Sequence, residues 1–361
     1  MNRLTAIGLA SLVAYGLLIA TKYAAVVSAA RHDGEAPAPV ASLDARPGDG
    51  VVPIEQAQAP RPVPFSAPSA VRPESVRASA IALEFRQARD LKAFADALLA
   101  RKATLTADER YHLAKALEEC QFATSLTEDI ASYAAKQRRQ FMAGLPLNDP
   151  NNAKRIAAYE AVDNTQRCAR FQGTKISQKD IDELLEGAAQ QGDPRAQARL
   201  LVAELNKNLS SNHSESGQPP RVGADDMSRI IGLLQTRDPE AMIIVGQFLA
   251  QSAMASQLRI GPNGEVPEPS AFLGAFSLVA CDMGPDCTAL SREPQLACAY
   301  GGYCNSTSFE ELYQNFLASP WSYALAVRYR NIIHTAINTQ NWSLIGLGPS
   351  ADKRQQSSGA K

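Results

Sequence analysis

Four cysteines close together near the carboxyl end constrain this chain more than any other feature. They are spaced C-x5-C-x10-C-x5-C, with the turn formers Gly284-Pro285-Asp286 and Gly301-Gly302 between them. Structural zinc sites usually place two cysteines on a tight C-x2-C or C-x4-C knuckle, so the wider spacing favours two disulfides over a metal site. The chain has six cysteines in all, an even number that is typical of exported proteins in oxidising compartments. The block consists of Cys281, Cys287, Cys298 and Cys304.

The sequence does not fix how these four cysteines pair, because four cysteines allow three connectivities. We favour bridges that join the two halves of the block, Cys281 with Cys298 and Cys287 with Cys304. A structural clip is the simplest role for such a block. Alternatively, its rigid loops present a binding surface, with three acidic candidate contacts, Asp282, Asp286 and Glu293.

The two remaining cysteines, Cys120 and Cys168, lie on predicted helices. Cys120 shares a helical face with Leu113 and Leu117, and Cys168 ends a stripe of small residues that permits close contact between helices. We therefore expect a disulfide between these two helices. It closes a loop of 47 intervening residues, and chain-entropy arithmetic gives such a bridge about 4 kcal/mol of stabilisation.

An uncharged segment at the amino end, Leu4–Thr21, predicts delivery to a membrane. Its 18 residues fit either a membrane-spanning helix of marginal length or a signal peptide. With Tyr23–Val27 appended, the span covers residues 4–27, and Lys22 snorkels to the interface. We favour an uncleaved transmembrane anchor within residues 1–30, with a cleaved signal peptide as the alternative. Either route exports the remainder of the chain.

Residues 31–73 form a predicted linker, because they carry nine of the 22 prolines together with many small residues. Such a composition buries too little apolar surface to fold and is typical of an extended, disordered tether. A second disordered segment, a polar tail, is expected over residues 347–361. The net charge of −1 and the lack of long basic runs argue against nucleic acid as a partner.

Residues 74–346 form the predicted domain, which is all-α with a disulfide-clipped carboxyl-terminal part. Apolar residues recur at three- and four-residue steps, and capping boxes such as Thr106–Glu109 open several helices. No alternating pattern indicates a strand. The last helix begins after Ser319-Pro320, and its predicted buried face comprises Trp321, Leu325, Tyr329, Ile332, Ile333 and Ile337.

Two similar junctions lie 45 residues apart within this domain. In the first, Gly192-Asp193-Pro194-Arg195-Ala196-Gln197, the aspartate can cap a helix and the proline can occupy its first position. The second junction reads Arg237-Asp238-Pro239-Glu240-Ala241. The region Ile176–Ala250 resembles the Sel-like branch of tetratricopeptide repeats, which have a similar junction between paired helices. The resemblance implies a helical-hairpin repeat, or α-solenoid, that binds other proteins, and it implies no catalytic residue.

The cysteine block and the ending HTAINTQNW resemble the layout of exported bacterial proteins. This resemblance implies a single-pass protein of the bacterial inner membrane, with the carboxyl-terminal domain in the periplasm. Combined with the predicted anchor and repeat, it predicts a membrane-tethered scaffold that binds a protein or peptide in the periplasm.

Sequence motifs of the common catalytic sites are missing. There is no H-E-x-x-H, G-x-S-x-G, P-loop or G-x-G-x-x-G pattern, and we expect neither a cofactor nor a metal. A pair of carboxylates leaves no local signature, so a cell-wall-acting hydrolase of helical fold is the alternative function. Its candidate acids are Glu118, Glu119, Asp282 and Glu293.

Overall fold

The computed structural model describes residues 78–212, 222–284, 287–288 and 291–348. Within these ranges the chain forms helices and no strand, apart from two isolated β-bridges, Ile260 with Glu265 and Thr288 with Ser308. The prediction of an all-α fold is therefore confirmed for this part of the chain. The predicted anchor, the linker, Asp286 and almost all of the predicted tail lie outside the described residues.

The longer helices are α1 (Ala80–Gln87), α2 (Leu91–Leu99), α3 (Ala107–Thr124), α4 (Ile130–Ala143), α5 (Asn152–Val162), α6 (Gln178–Gln190), α7 (Pro194–Asn212), α8 (Ala224–Gln235), α9 (Pro239–Leu249), α10 (Pro269–Met283), α11 (Arg292–Gly301) and α12 (Pro320–Thr339). Shorter helical segments are Lys102–Thr104, Thr165–Cys168, Ala169–Phe171, Ser252–Ala255, Phe309–Leu312, Tyr313–Leu317 and Trp342–Ile345. None of the helices described here has the length and hydropathy that crossing a membrane requires.

The buried apolar residues of the described part of the chain form two main cores. The first forms where α3 packs against α1, α2 and α6, around Leu91, Leu113 and Ile181. The second forms where α10 packs against α9 and α12. The α10 helix is apolar on almost all sides, as a central helix must be. At Gly246 of α9, an added Cβ would lie 2.5 Å from the ring of Phe276, so the absence of a side chain permits this close approach.

The predicted Asp-Pro caps are present at both junctions. Asp193 accepts hydrogen bonds from the backbone N–H groups of Arg195 and Ala196, at 2.9 and 3.1 Å, and caps α7. Asp238 accepts from the N–H of Ala241 at 2.8 Å and caps α9. The residue before each aspartate has a left-handed backbone. At one junction this residue is a glycine with φ of 92°, and at the other it is Arg237 with φ of 56°.

All six cysteines form disulfides, and the predicted bridge between Cys120 and Cys168 is confirmed. The pairing that we favoured in the block is wrong, because Cys281 pairs with Cys287 and Cys298 with Cys304. Each pair staples one helix end to the turn that follows it. After α11, for example, Gly302 has φ of 77° and reverses the chain, which brings the two cysteines on either side of it together.

The predicted buried face of α12 is correct in its centre and wrong at its start. Tyr329, Ile333 and Ile337 are buried, whereas 64% of Trp321 is exposed. Trp321 precedes Tyr329 by eight residues, which places it about 80° away from the buried face at 100° per residue. Trp321 is also the second residue of α12, and no preceding turn of this helix lies beside it.

Candidate functional site

The candidate site lies where α11 packs against α5, across 144 residues of sequence. The buried side chain of Arg155 on α5 joins the two helices. Its Nε donates to the carbonyl oxygen of Ala299 at 3.0 Å, and its Nη2 donates to that of Tyr300 at 3.2 Å. These carbonyls belong to the last turn of α11, which leaves them without helical partners. The same guanidinium forms an ion pair with Asp149 at 3.0 Å.

Three aromatic rings meet at this contact. Phe141 of α4 stacks on Tyr159 of α5, with 4.2 Å between ring centroids. The ring of Tyr300 stands edge-on to both, at 5.6 Å from Phe141 and 6.4 Å from Tyr159. Tyr159 is buried, but 59% of Tyr300 is exposed. A large exposed aromatic side chain held by two others is a ready contact for a ligand.

The rings line one side of an open cleft of about 440 Å³, which we call the aromatic cleft. This volume falls within the usual range of ligand pockets. Its aromatic residues are Phe122, Tyr133, Phe141, Tyr159 and Tyr300. Its polar residues are Glu119, Gln137, Gln140, Asp163, Asn164, Thr165 and Arg292.

Both carboxylates of the aromatic cleft already have partners. Glu119 accepts a hydrogen bond from Nδ2 of Asn164 at 3.1 Å and forms an ion pair with Arg167 at 3.7 Å. Asp163 accepts from the backbone N–H and the hydroxyl of Thr165, at 2.9 and 2.6 Å. These carboxylates therefore help to shape the cleft wall.

The exposed guanidinium of Arg292, by contrast, makes no hydrogen bond or ion pair with any residue that the structure describes. Nearby, burial and the negative charge of Asp163 raise the pKa of Tyr159 to about 12, so its phenol stays protonated at neutral pH. The cleft thus combines aromatic surface, amide groups, the two engaged carboxylates of Glu119 and Asp163, and the positive charge of Arg292.

Asp282, a predicted binding contact, lies instead in an ion network between α10 and α12. It accepts from Nε of Arg330 at 2.6 Å and contacts Nε2 of His334 at 2.7 Å. The same arginine donates to Glu310 at 2.9 Å. Burial alone would raise the pKa of Asp282, but hydrogen bonds from His334 and Arg330 lower it to about 2. Its oxygens are therefore occupied by neighbouring side chains of the same chain.

The other candidate acids are dispersed. Glu293 is exposed in the first turn of α11, and Asp286 lies outside the described residues. Of the acids considered for a hydrolase, Glu118 pairs with Arg199, and only Glu119 lines the aromatic cleft. Among the residues described, no group of three or more His, Cys, Asp or Glu side chains could hold a metal ion.

Sequence reasoning missed the aromatic residues that make the cleft. Tyr300 is part of the cysteine block, yet its partners Phe141 and Tyr159 lie far upstream. No local pattern links segments so distant, and the sequence contains no signal that would have brought them together. Comparison with protein-family models, with curated proteins and with solved structures gave no significant match.

Proposed function

We propose that this protein is a membrane-tethered helical scaffold that binds a peptide segment of a protein partner in the aromatic cleft. The observation that carries the proposal is the cleft itself, in which the exposed ring of Tyr300 packs edge-on against Phe141 and Tyr159. Rigid aromatic anchors lose little conformational entropy when they bind and dominate the energetics of protein interfaces.

The polar groups of the cleft fit a peptide. Side-chain amides such as Gln137 and Gln140 can pair with backbone N–H and C=O groups, and the unpaired Arg292 can pair with a carboxylate. The cleft is open to solvent, as a site for an extended segment must be. A short peptide with an apolar side chain next to an acidic group is the ligand that matches this lining.

The scaffold part of the proposal draws on the two junctions before α7 and α9. Both combine a left-handed residue with an Asp-Pro cap, and each joins two consecutive helices. These features support the resemblance to Sel-like repeats over Ile176–Ala250. Stacked helix pairs of that kind commonly present binding surfaces to other proteins.

The predicted location is the periplasmic side of a bacterial inner membrane. The three disulfides support it, because such bridges persist in oxidising compartments and are rare in the cytosol. The anchor itself remains a prediction from residues 4–27. Binding is favoured over hydrolysis because Glu119 and Asp163 both hold neighbouring groups of the cleft wall, Asn164 and Thr165 among them.

Site-specific photo-crosslinking of the full chain in intact cells tests the proposal. A benzoylphenylalanine at position 300 should give an adduct with one protein, mapped by mass spectrometry to a short segment. A synthetic copy of that segment should bind the detergent-solubilised full chain. Its affinity should fall at least tenfold in Tyr300→Ala, because about 1.4 kcal/mol or more of aromatic contact is lost.

Val266 supplies the matched control, because it is exposed to a similar degree, 54%, and does not line the cleft. The crosslinker at position 266 should not give the adduct, and Val266→Ala should bind the synthetic segment as the wild type does. The same adducts from both positions, or a synthetic segment whose affinity ignores Tyr300→Ala, would refute the peptide site. An adduct with a glycan strand would shift support to the hydrolase.

A further inference from the structure

Three exposed apolar residues outside the aromatic cleft lie close together in the sequence. Of the nine large hydrophobic residues that are exposed in the described part of the chain, three fall within six consecutive positions. Phe316 and Leu317 are each 42% exposed, and Trp321 is 64% exposed. We call these three residues the apolar tip. Their clustering sets them apart from singly exposed hydrophobic residues, which are ordinary on protein surfaces.

The fold holds the apolar tip outward between two anchored ends. On one side, Leu312 and Tyr313 are buried, and the π-helical turn Tyr313–Leu317 exposes the four residues that follow them, 314–317. On the other side, the hydroxyl of Ser319 accepts from the N–H of Ser322 and fixes the start of α12. The ring of Tyr303 stacks on Phe316 at 4.7 Å between centroids. The tip is therefore presented by ordered structure.

The surrounding sequence lacks charge. The 16 residues Leu312–Val327 contain no Asp, Glu, Lys or Arg. Moving this segment out of water therefore strips no ionised side chain of its hydration, which is the largest cost of entering a lipid interface. Tryptophan is also enriched at membrane–water interfaces, where its ring lies at the level of the lipid headgroups.

The predicted tether would keep the apolar tip within reach of the bilayer. Residues 31–73 follow the predicted anchor at 4–27 and, when fully extended, span at most about 150 Å. A domain confined to that distance meets the bilayer at high effective concentration, so a small apolar contact is sufficient. We propose that the apolar tip inserts Phe316, Leu317 and Trp321 into the headgroup region of the membrane that anchors the chain.

Tryptophan fluorescence tests the insertion in the full chain. The protein has two tryptophans, and Trp342 is buried, so the variant Trp342→Phe leaves Trp321 as a single reporter. The chain is reconstituted into phosphatidylcholine vesicles with or without chain-brominated phosphatidylcholine, which quenches fluorophores inside the bilayer. Emission of Trp321 should fall at least twofold in brominated vesicles. Should Trp342→Phe fail to fold, the difference between wild type and Trp321→Phe gives the same quantity.

Two controls locate the effect. Trp321→Phe, which keeps Trp342, should show no quenching by the brominated lipid. A tryptophan at position 147, where the native leucine is 98% exposed, should also stay unquenched when both native tryptophans are replaced. Leu317→Asp should remove at least half of the quenching of Trp321, because an ionised carboxylate resists entry into the bilayer.

Three results would overturn the proposal. In the first, Trp321 stays open to acrylamide and unaffected by brominated lipid. In the second, the emission wavelength of Trp321 changes with protein concentration in detergent. This would mean that a second copy of the chain, and not the bilayer, covers the apolar tip. In the third, quenching of Trp321 requires anionic phosphatidylglycerol in the vesicles and falls with added salt. Such a dependence would indicate an electrostatic contact, and the uncharged tip supplies no cation for one.

Discussion

At the scale of single residues, Asp282 shows how a carboxylate can be committed to holding two helices together. It belongs to α10, and both of its strongest partners, Arg330 and His334, belong to α12. Its side chain is only 16% exposed, so these contacts are poorly screened by solvent. The residue therefore contributes to stability, and it does so only while ionised.

The variant Asp282→Asn should lower the free energy of unfolding by about 2 kcal/mol at pH 7, since the pKa of Asp282 falls from 3.8 to about 2 on folding. A lowered pKa contributes stability above the ordinary value of 3.8, and that contribution disappears as the pH falls toward 2. The difference between wild type and variant should therefore shrink between pH 4 and pH 2. Urea unfolding followed by circular dichroism measures it.

Glu293→Gln is the matched control, because it neutralises an exposed acid of the same region. It should leave the free energy of unfolding unchanged within error at every pH. A loss from Asp282→Asn that is equally large at pH 2 would show that the amide's NH2 group, set against the donors of Arg330 and His334, causes the loss, and not the missing charge.

At the scale of elements, local signals account for what could be predicted. Capping residues such as Thr106 and Asp193 specify where helices begin, and each needs only its own neighbours along the chain. Cys120 could be matched with Cys168 because both lie on helical faces made for contact. The pairing within the block depended on turns that bring each cysteine back to its nearest neighbour, and the exposure of Trp321 depended on which part of α12 is covered. No local sequence pattern predicts either the pairing within the block or the exposure of Trp321.

The junctions that precede α7 and α9 lead to a prediction about helix ends. Arg237 adopts a left-handed backbone at φ of 56°, which costs a residue with a side chain about 1 kcal/mol or more. Replacing Arg237 by Gly removes that cost but increases the entropy of the unfolded chain. We expect a net gain of about 0.5 kcal/mol in the free energy of unfolding, measured by urea denaturation.

The corresponding glycine of the first junction provides the reciprocal variant. Gly192→Ala should lower the free energy of unfolding by about 1 kcal/mol. Apart from its two neighbours in the chain, no residue comes within 4 Å of the position that a Cβ would take, so the loss reports backbone conformation. A gain from Gly192→Ala, or a loss from Arg237→Gly, would show that the two junctions do not share the same requirement.

At the scale of the whole molecule, the aromatic cleft depends on a contact between distant parts of the chain. The α11 helix comes from the cysteine block, whereas α4 and α5 belong to the first half of the described domain. Their packing places Tyr300 beside Phe141 and Tyr159, and no periodicity or spacing predicts it. The cleft therefore exists only in the assembled fold. It should be lost when the few side chains that hold α11 against α5 are replaced.

Arg155 is the principal group of this kind, because it donates to two carbonyls at the end of α11. Arg155→Met keeps an apolar stem of similar length but removes both donors. Two hydrogen bonds from a charged group contribute about 3 kcal/mol together, so local opening of α11 should become at least about 100-fold more frequent. Hydrogen exchange of the α11 amides, followed by mass spectrometry, should accelerate accordingly, while exchange in α12 stays slow.

Arg138→Met makes the same chemical change on the neighbouring α4 helix, where Arg138 forms an exposed ion pair with Glu160 of α5. Exposed pairs contribute little, so this variant should exchange as the wild type does throughout α11. If the two variants give the same protection in α11, the disulfide and the aromatic packing suffice to hold the helix. If Arg155→Met accelerates exchange equally in α11 and α12, the arginine stabilises the whole domain and not the cleft. Selective acceleration in α11 is the outcome that this geometry requires, because the two donated hydrogen bonds end on that helix alone.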